Sequence, residues 1–399
     1  MRTRHLLLLT FIVLTASFAS AQKTKADSAN VTSHPIKVSL ITFYPGDEIF
    51  EVFGHSEILL SDSTGYYYIN YGVFDFNSPG FIMRYIMGET DYLCAIMPPN
   101  HDSGIKNGRK RVQQELNLTP EQAQKVWDAL AWNVRLENRE YRYRHFSDNC
   151  ATRPRDVIEN ALGQPIDFDK CYYLVGKTLR QVMTHYTRNY PWEQFGIDLV
   201  LGAACDTVID SRTHTFVPLF LMHALDSTVV MRDGQPVPLV SKRTILQPGS
   251  DNGIVAPPTP WYLTPMTMAL IVLALSIAIT VRDMRKGKNS RWYYSIFFLI
   301  AGLAGCIVFF IEFISTHEAV MPNYNILWLH PLLLLLSLLP WFKKSARLLW
   351  WGHCLNIVLI LTTAVIWLSR LQVPNMAFLP LIAASLLCSI SCLKTSSRP

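Results

Sequence analysis

YRHFSDNCATRPRD, residues 143–156, is the stretch on which the reading of the chain turns. Its first half continues an alternation of charged and aromatic residues that begins at Arg139 and runs to Phe146, the pattern of a half-buried strand. Its second half opens a helix: Ser147, Asp148 and Asn149 offer capping side chains just before Cys150, and Gly163 stops the helix after Leu162. A thiol is a good nucleophile only as the thiolate, and a helix N-terminus with an imidazole nearby lowers its pKa. Cys150 is therefore a candidate nucleophile. A cysteine in a secreted domain is more often buried or disulfide-bonded, and spacing alone does not choose between these fates.

Working outward, the imidazole candidate is His55 in Phe53-Gly54-His55-Ser56-Glu57, which leads into the apolar run Ile58-Leu59-Leu60. The turn Ser61-Asp62-Ser63-Thr64 and the run Gly65 to Tyr71 complete a hairpin. Lys37–Phe43 and Tyr92–Met97 read as further strands, the latter closed by Pro98 and Pro99. Thr119-Pro120-Glu121 starts a helix with Ala123, Val126, Leu130 and Val134 at helical spacing. Residues 171–225 read as mainly helical, and Asp226 to Pro258 as a return segment and linker. A histidine on a strand facing the helix end holds a thiolate as an ion pair and returns its proton to a leaving group.

Hydrophobicity divides the chain into a signal peptide at 1–21, an exported domain at 22–260 and a membrane domain at 261–399. Spans are expected near 262–281, 292–314, 326–342, 348–369 and 376–393, the third interrupted by Pro331. The net charge of +6 is unevenly placed: residues 22–261 hold 23 basic and 27 acidic side chains, whereas the remainder after them holds 11 and 3. The loop 282–291, the loop after the third span and the tail carry nearly all of that excess. This places the exported domain outside and the C-terminus inside. Nucleic acid is not an implied partner, and no cofactor or metal is called for. Four cysteines lie in the exported domain (Cys94, Cys150, Cys171 and Cys205), with three possible full pairings. Glu312 sits near the end of a span, where a charge needs a partner; His317 is one candidate.

The segments GHSEILL, INYGVFDF, FIMRYIMGETDYL, YRHFSDNCATRPRD and PWEQFGIDLVLG resemble the Lnb N-terminal periplasmic domain family over roughly residues 36–225. More broadly, G-H-S on a strand followed about 95 residues later by D-N-C opening a helix is similar to the permuted NlpC-type thiol enzymes, which include lecithin:retinol acyltransferase. The segment Ser315 to Glu318, followed by Pro322 to Trp328 and Pro331, resembles the outward loop of full-length Lnb-type proteins. The resemblance implies an α+β, permuted papain-like (NlpC-like) periplasmic domain followed by an all-α membrane bundle of five helices, in the cytoplasmic membrane. It implies lipoprotein N-acylation, in which an acyl chain moves from a phospholipid donor to the α-amine of a diacylated lipoprotein acceptor. Cys150 is then nucleophile and His55 base, with Asn70 preferred to Asp75 as the third member. Arg153 and its neighbours Arg142, Arg144 and Arg155 are candidates for a lipid phosphate, and Asn149, His317 and Asn323 for substrate contacts. An envelope cysteine hydrolase and a non-catalytic envelope protein with Cys150 in a disulfide stay open as alternatives.

Overall fold

The computed structural model describes residues 35–98 and 108–395; the expected signal peptide lies outside them. Among the described residues nine strands are formed: Lys37–Phe43 (β1), His55–Ser61 (β2), Tyr66–Val73 (β3), Asp91–Met97 (β4), Arg111–Leu116 (β5), Glu140–Arg142 (β6), Val229–Arg232 (β7), Gln235–Pro238 (β8) and Val240–Gln247 (β9). Seven make one antiparallel sheet in the order β6-β4-β3-β2-β1-β5-β9. Its register sets Phe43 opposite His55 and Asn70 opposite Glu57. Because side chains alternate along a strand, Ile58, Leu60, Ile69 and Tyr71 form one apolar face. Ile41, Phe43, Leu59 and Tyr68 lie on the other, together with His55 and Asn70.

Helices cover the first face. Phe81–Met87 (α1) lies between β3 and β4; Pro120–Asn133 (α2) and Thr152–Leu162 (α3) pack on each other and on the sheet. Thr119 and Gln122 cap α2 reciprocally, each side chain taking the other's backbone N–H, with Pro120 in the first turn. Leu179–Thr187 (α4), Pro191–Val200 (α5), Ser211–His214 (α6) and Pro218–Ser227 (α7) fill residues 171–227.

Two expectations need correction. The alternation from Arg139 to Phe146 yields a strand of only three residues, because Arg144 and Asp148 exchange backbone hydrogen bonds and fold the chain into a tight loop. The segment 226–258 is more than a linker: β7 and β8 form a hairpin, and β9 completes the sheet edge. β9 carries exposed Ser241, Lys242 and Arg243, as a solvated edge strand does, which removes the apolar alternation that announces a strand.

From Ile36 onward the chain is one compact unit. Its C-terminal part holds four helices long and apolar enough to cross a membrane: Pro265–Lys286 (α8), Arg291–Phe313 (α9), Ala346–Leu368 (α12) and Phe378–Thr395 (α13). The expected third span is broken into Asn325–Trp328 (α10) and Leu333–Leu338 (α11) with a short 3-10 turn after it. Interrupted backbone at membrane depth must be shielded by protein, and α9 supplies the shield. A Cβ added at Gly305 would lie 2.5 Å from the Leu329 carbonyl oxygen, and one at Gly302 would lie 2.7 Å from the Leu334 nitrogen. Small residues let the broken segment come that close. Asn289 in the α8–α9 loop bonds Thr395 at the end of α13, so that loop and the end of α13 lie on the same side of the bundle.

Gly305→Val is expected to force α9 and the break apart, at about 1–3 kcal/mol of overpacking. Thermal unfolding in detergent should show a clearly lowered midpoint; an unchanged midpoint would contradict the close approach.

Candidate active site

β2 begins immediately after Gly54, whose φ is +80°. A Cβ there would fall 2.5 Å from the Phe43 carbonyl oxygen, so only glycine allows the chain to enter the strand at this point. That entry fixes His55 at the first position of β2. Its Nε2 lies 2.9 Å from Asn70 Oδ1, one strand over, and its ring sits 5.9 Å from that of Phe43. An acceptor at Nε2 selects the tautomer that carries its lone pair on Nδ1. The other candidate third member, Asp75, stands in an exposed turn where its carboxylate accepts the Asn77 N–H at 2.8 Å.

Cys150 is buried in the loop between β6 and α3. The Ser56 backbone N–H, the Tyr143 hydroxyl and its own N–H are the polar groups near enough to its sulfur to favour the thiolate, and the Tyr143 ring and the Cys150 Cβ meet at Gly72. The thiol therefore lies against the start of β2, beside the residue that follows His55. Burial pushes its pKa above the ordinary thiol value, while those groups and the nearby charge of Arg109 act in the opposite sense without overcoming it. The expectation of a thiol ionised by the helix end is thus corrected. The first N–H groups of α3 are taken by the Asn149 side chain, whose Oδ1 accepts from Ala151 at 2.8 Å and Thr152 at 2.9 Å. They do not point at the sulfur.

Tyr143 and Arg109 did not emerge from the sequence as site residues. Arg109 is buried and held by Glu51 at 2.9 Å and the Tyr44 carbonyl at 2.9 Å. The signal for Tyr143 was its place in the aromatic alternation, which read as strand packing.

The residues expected to touch substrate are engaged inside the fold. Asn149 donates to the carbonyls of His145 and Phe216 at 2.8 and 2.9 Å, so its amide organises the Cys150 loop. Arg153 grips Asp148 through two bonds of 2.5 and 2.8 Å, and its guanidinium lies 3.6 Å from the Tyr141 ring centre. Arg142 pairs with Asp91, and Arg155 with Asp156 and Thr215. His317 Nε2 meets the Tyr85 carbonyl at 2.8 Å. Asn323 is buried; it donates to the carbonyls of Leu199 and Val200 and accepts from Asn325 and Gln372. The partner of Glu312 is the Asn323 backbone N–H at 2.8 Å, rather than His317.

Glu318, on the loop after α9, accepts the Phe146 N–H at 3.0 Å and the Ser147 hydroxyl, and so fastens the loop before Cys150 to the membrane half. Among the described residues, no group of three or more His, Cys, Asp or Glu is arranged to hold a metal ion.

Comparison with known families matches residues 23–184 to the Lnb N-terminal periplasmic domain and residues 258–398 to the Lnb transmembrane domain. The chain belongs to the Lnb family. No curated protein and no solved structure matches it. The Lnb-type architecture, a periplasmic α+β domain anchored by a C-terminal helical membrane domain, accounts for both halves of the fold. Cys150 and His55 fall in the first of these domains. The loop that clamps the Cys150 segment, with Glu318, falls in the second.

A neutral, buried thiol should be alkylated slowly at pH 7 and faster as pH rises through and beyond the usual thiol range of about 8.5. Tyr143→Phe removes a hydroxyl that favours the thiolate, at about 1.5–3 kcal/mol for a hydrogen bond to a charged group. Iodoacetamide labelling of Cys150, read by peptide mass spectrometry, should then slow roughly 10- to 100-fold at fixed pH. Unchanged labelling would remove Tyr143 from the site.

Proposed function

We propose that this chain is a lipoprotein N-acyltransferase of the cytoplasmic membrane that uses Cys150 as nucleophile and His55 as general base. The observation that carries the reading is the seating of the Cys150 sulfur against the first residues of β2, where His55 is oriented by Asn70, in a loop tied to the membrane domain. Histidine strand before cysteine helix is the chain order of the permuted thiol enzymes. Both substrates of this reaction are membrane lipids, which gives a reason for fastening a thiol site to a helical bundle.

In the first step His55 takes the thiol proton as Sγ attacks the ester carbonyl of a phospholipid. The tetrahedral intermediate collapses, the ester C–O bond breaks, and the proton passes to the departing lysophospholipid oxygen. The acyl chain is left as a Cys150 thioester. In the second step the α-amine of a diacylglyceryl-cysteine attacks that thioester, His55 takes the amine proton, and the thiol is regenerated. The Ser56 and Cys150 N–H groups are the nearest backbone donors for the oxyanion, a contribution of ~3–4 kcal/mol per donor in known enzymes. The raised thiol pKa fits a proton removed during attack rather than before it.

A hydrolase on the same scaffold is the second reading, favoured by the same Cys–His–Asn arrangement. The product separates the two: a phospholipid and a diacylated lipopeptide should yield a triacylated peptide, not only free fatty acid. A disulfide role for Cys150 has no support, since all eight described cysteines are free. Cys150→Ala and His55→Ala should each lower transfer by at least about 10³-fold, and Asn70→Ala by about 10–100-fold through misplacement of the imidazole. The readout is mass spectrometry of lipoprotein N-termini in cells lacking their own N-acyltransferase. Retained transfer in the cysteine or histidine variant would end the assignment.

A further inference from the structure

α1 is amphipathic in an unusual sense: its buried side carries little more than Phe81, and its outer side is apolar. Ile82 is 74% exposed and Met83 62%, with Tyr85 and Ile86 also exposed. Phe76 (59%) and Phe50 (56%) extend the same patch from neighbouring loops, and Phe50, Phe76 and Phe81 are in ring contact. A contiguous apolar surface of this kind marks an interaction site.

Its position says what covers it. The carbonyls of Tyr85 and Met87 at the end of α1 accept from the His317 ring and the Thr316 N–H, the latter at 2.8 Å. Thr316 lies three residues past the end of membrane helix α9, where Phe313 and Ile314 are exposed as well. The apolar face of α1 is thus continuous with the lipid-facing end of a membrane helix, on the side where the periplasmic domain sits. An exposed apolar helix face at that level meets lipid rather than water.

The patch also leads inward. Phe76 packs on Phe74 at 4.6 Å between ring centres, Phe74 stacks on Tyr92 at 4.8 Å, and Tyr92 stacks on Tyr143 at 4.3 Å. Tyr143 lies beside Cys150, its ring and the Cys150 Cβ meeting at Gly72. An unbroken aromatic row therefore runs from the exposed edge to the thiol.

We propose that α1, with Phe50 and Phe76, is a lipid-docking surface that enters the outer leaflet, and that a phospholipid acyl chain lies along Phe76 and Phe74 with its ester directed to Cys150. The second clause rests on the acyltransferase reading; the first does not. In this arrangement the donor lipid need only slide out of the leaflet, so its acyl chain exchanges lipid contacts for aromatic ones without crossing water.

The test uses the full chain in nanodiscs of phosphatidylethanolamine and phosphatidylglycerol doped with a phospholipid bearing a diazirine on its acyl chain. Photolysis followed by peptide mapping should place adducts on Phe50, Phe76, Ile82 or Met83, besides those on α8, α9, α12 and α13. Adducts confined to those four helices would overturn the docking surface. In parallel, the Ile82→Ser/Met83→Ser double variant and Phe76→Ser, all at exposed positions, should slow transfer from bilayer phospholipid by about ten-fold or more. Consumption of a short-chain, water-soluble ester by the Ile82→Ser/Met83→Ser variant should be unchanged. Equal loss with both donors, or loss with neither, would overturn the acyl-chain track. If the unsubstituted protein acylates no amine at all, the acyltransferase reading fails, and the adduct map alone still decides whether lipid occupies the surface.

Discussion

The buried guanidinium of Arg180 is the contact on which the joining of the two halves depends. It donates to Asp198 at 3.0 Å, to both oxygens of Asp206 at 2.8 and 3.1 Å, and to the carbonyls of Leu201 and Gly202 at 3.1 and 3.0 Å. All three of its nitrogens are thereby engaged. The same two aspartates reach into the membrane half, where Asp206 accepts the Val373 N–H and Asp198 accepts from Asn375. Gly202 and Ala203 donate to the carbonyls of Ala319 and Pro322, so the other outward loop is tied to the same point. Desolvating one cation and two carboxylates costs several kcal/mol, and only this complete set of bonds offsets it. Loss of one member would leave charges buried without partners.

From that hub, order spreads toward the thiol. The loop held at Ala319 and Pro322 carries Glu318 on its near side, and Glu318 holds Phe146 and Ser147. Four residues further on lies Cys150. The Asn149 side chain then fixes the turn into α3. The segment that bears Cys150 is therefore shaped from both ends, by the membrane domain before it and by the helix cap after it. A periplasmic domain released from its anchor would lose the first of these constraints while keeping the second.

Much of this was legible in the sequence, for identifiable reasons. β1, β2 and β3 were read almost to the residue because alternation, a polar turn and glycine act locally. Asn70 was preferred to Asp75 beside His55 through the family resemblance, and the fold brings the two side chains within 2.9 Å; α2 followed from Thr119 and Pro120. Contacts made over long sequence distances left no local mark. Glu318 reads as an interfacial carboxylate until the fold brings it 172 residues back to Phe146. Arg109 and Tyr143 carry no motif, and β9 is polar because it lies at an edge. The broken third span was visible as Pro331, but its tolerance depends on Gly302 and Gly305 in another helix. Asn149, Arg153 and Asn323 were suited by residue type to hold a substrate; each is instead committed to backbone or ion-pair contacts that build the site's frame.

The state of the sulfur links this frame to the proposed chemistry. A thiol made acidic by a free helix terminus would be ionised at rest, open to oxidation in an oxidising compartment and, once acylated, a good leaving group for water as well as amine. Here the helix terminus is closed by Asn149, and burial keeps the thiol protonated. The polar groups around the sulfur, from Ser56, Tyr143 and Cys150 itself, act most strongly when negative charge appears there. Stabilisation is thereby shifted from the resting enzyme to the moment of attack, which is where differential binding raises a rate. A buried thiol at the end of the aromatic row from Phe76 to Tyr143 is the setting that the proposed transfer requires.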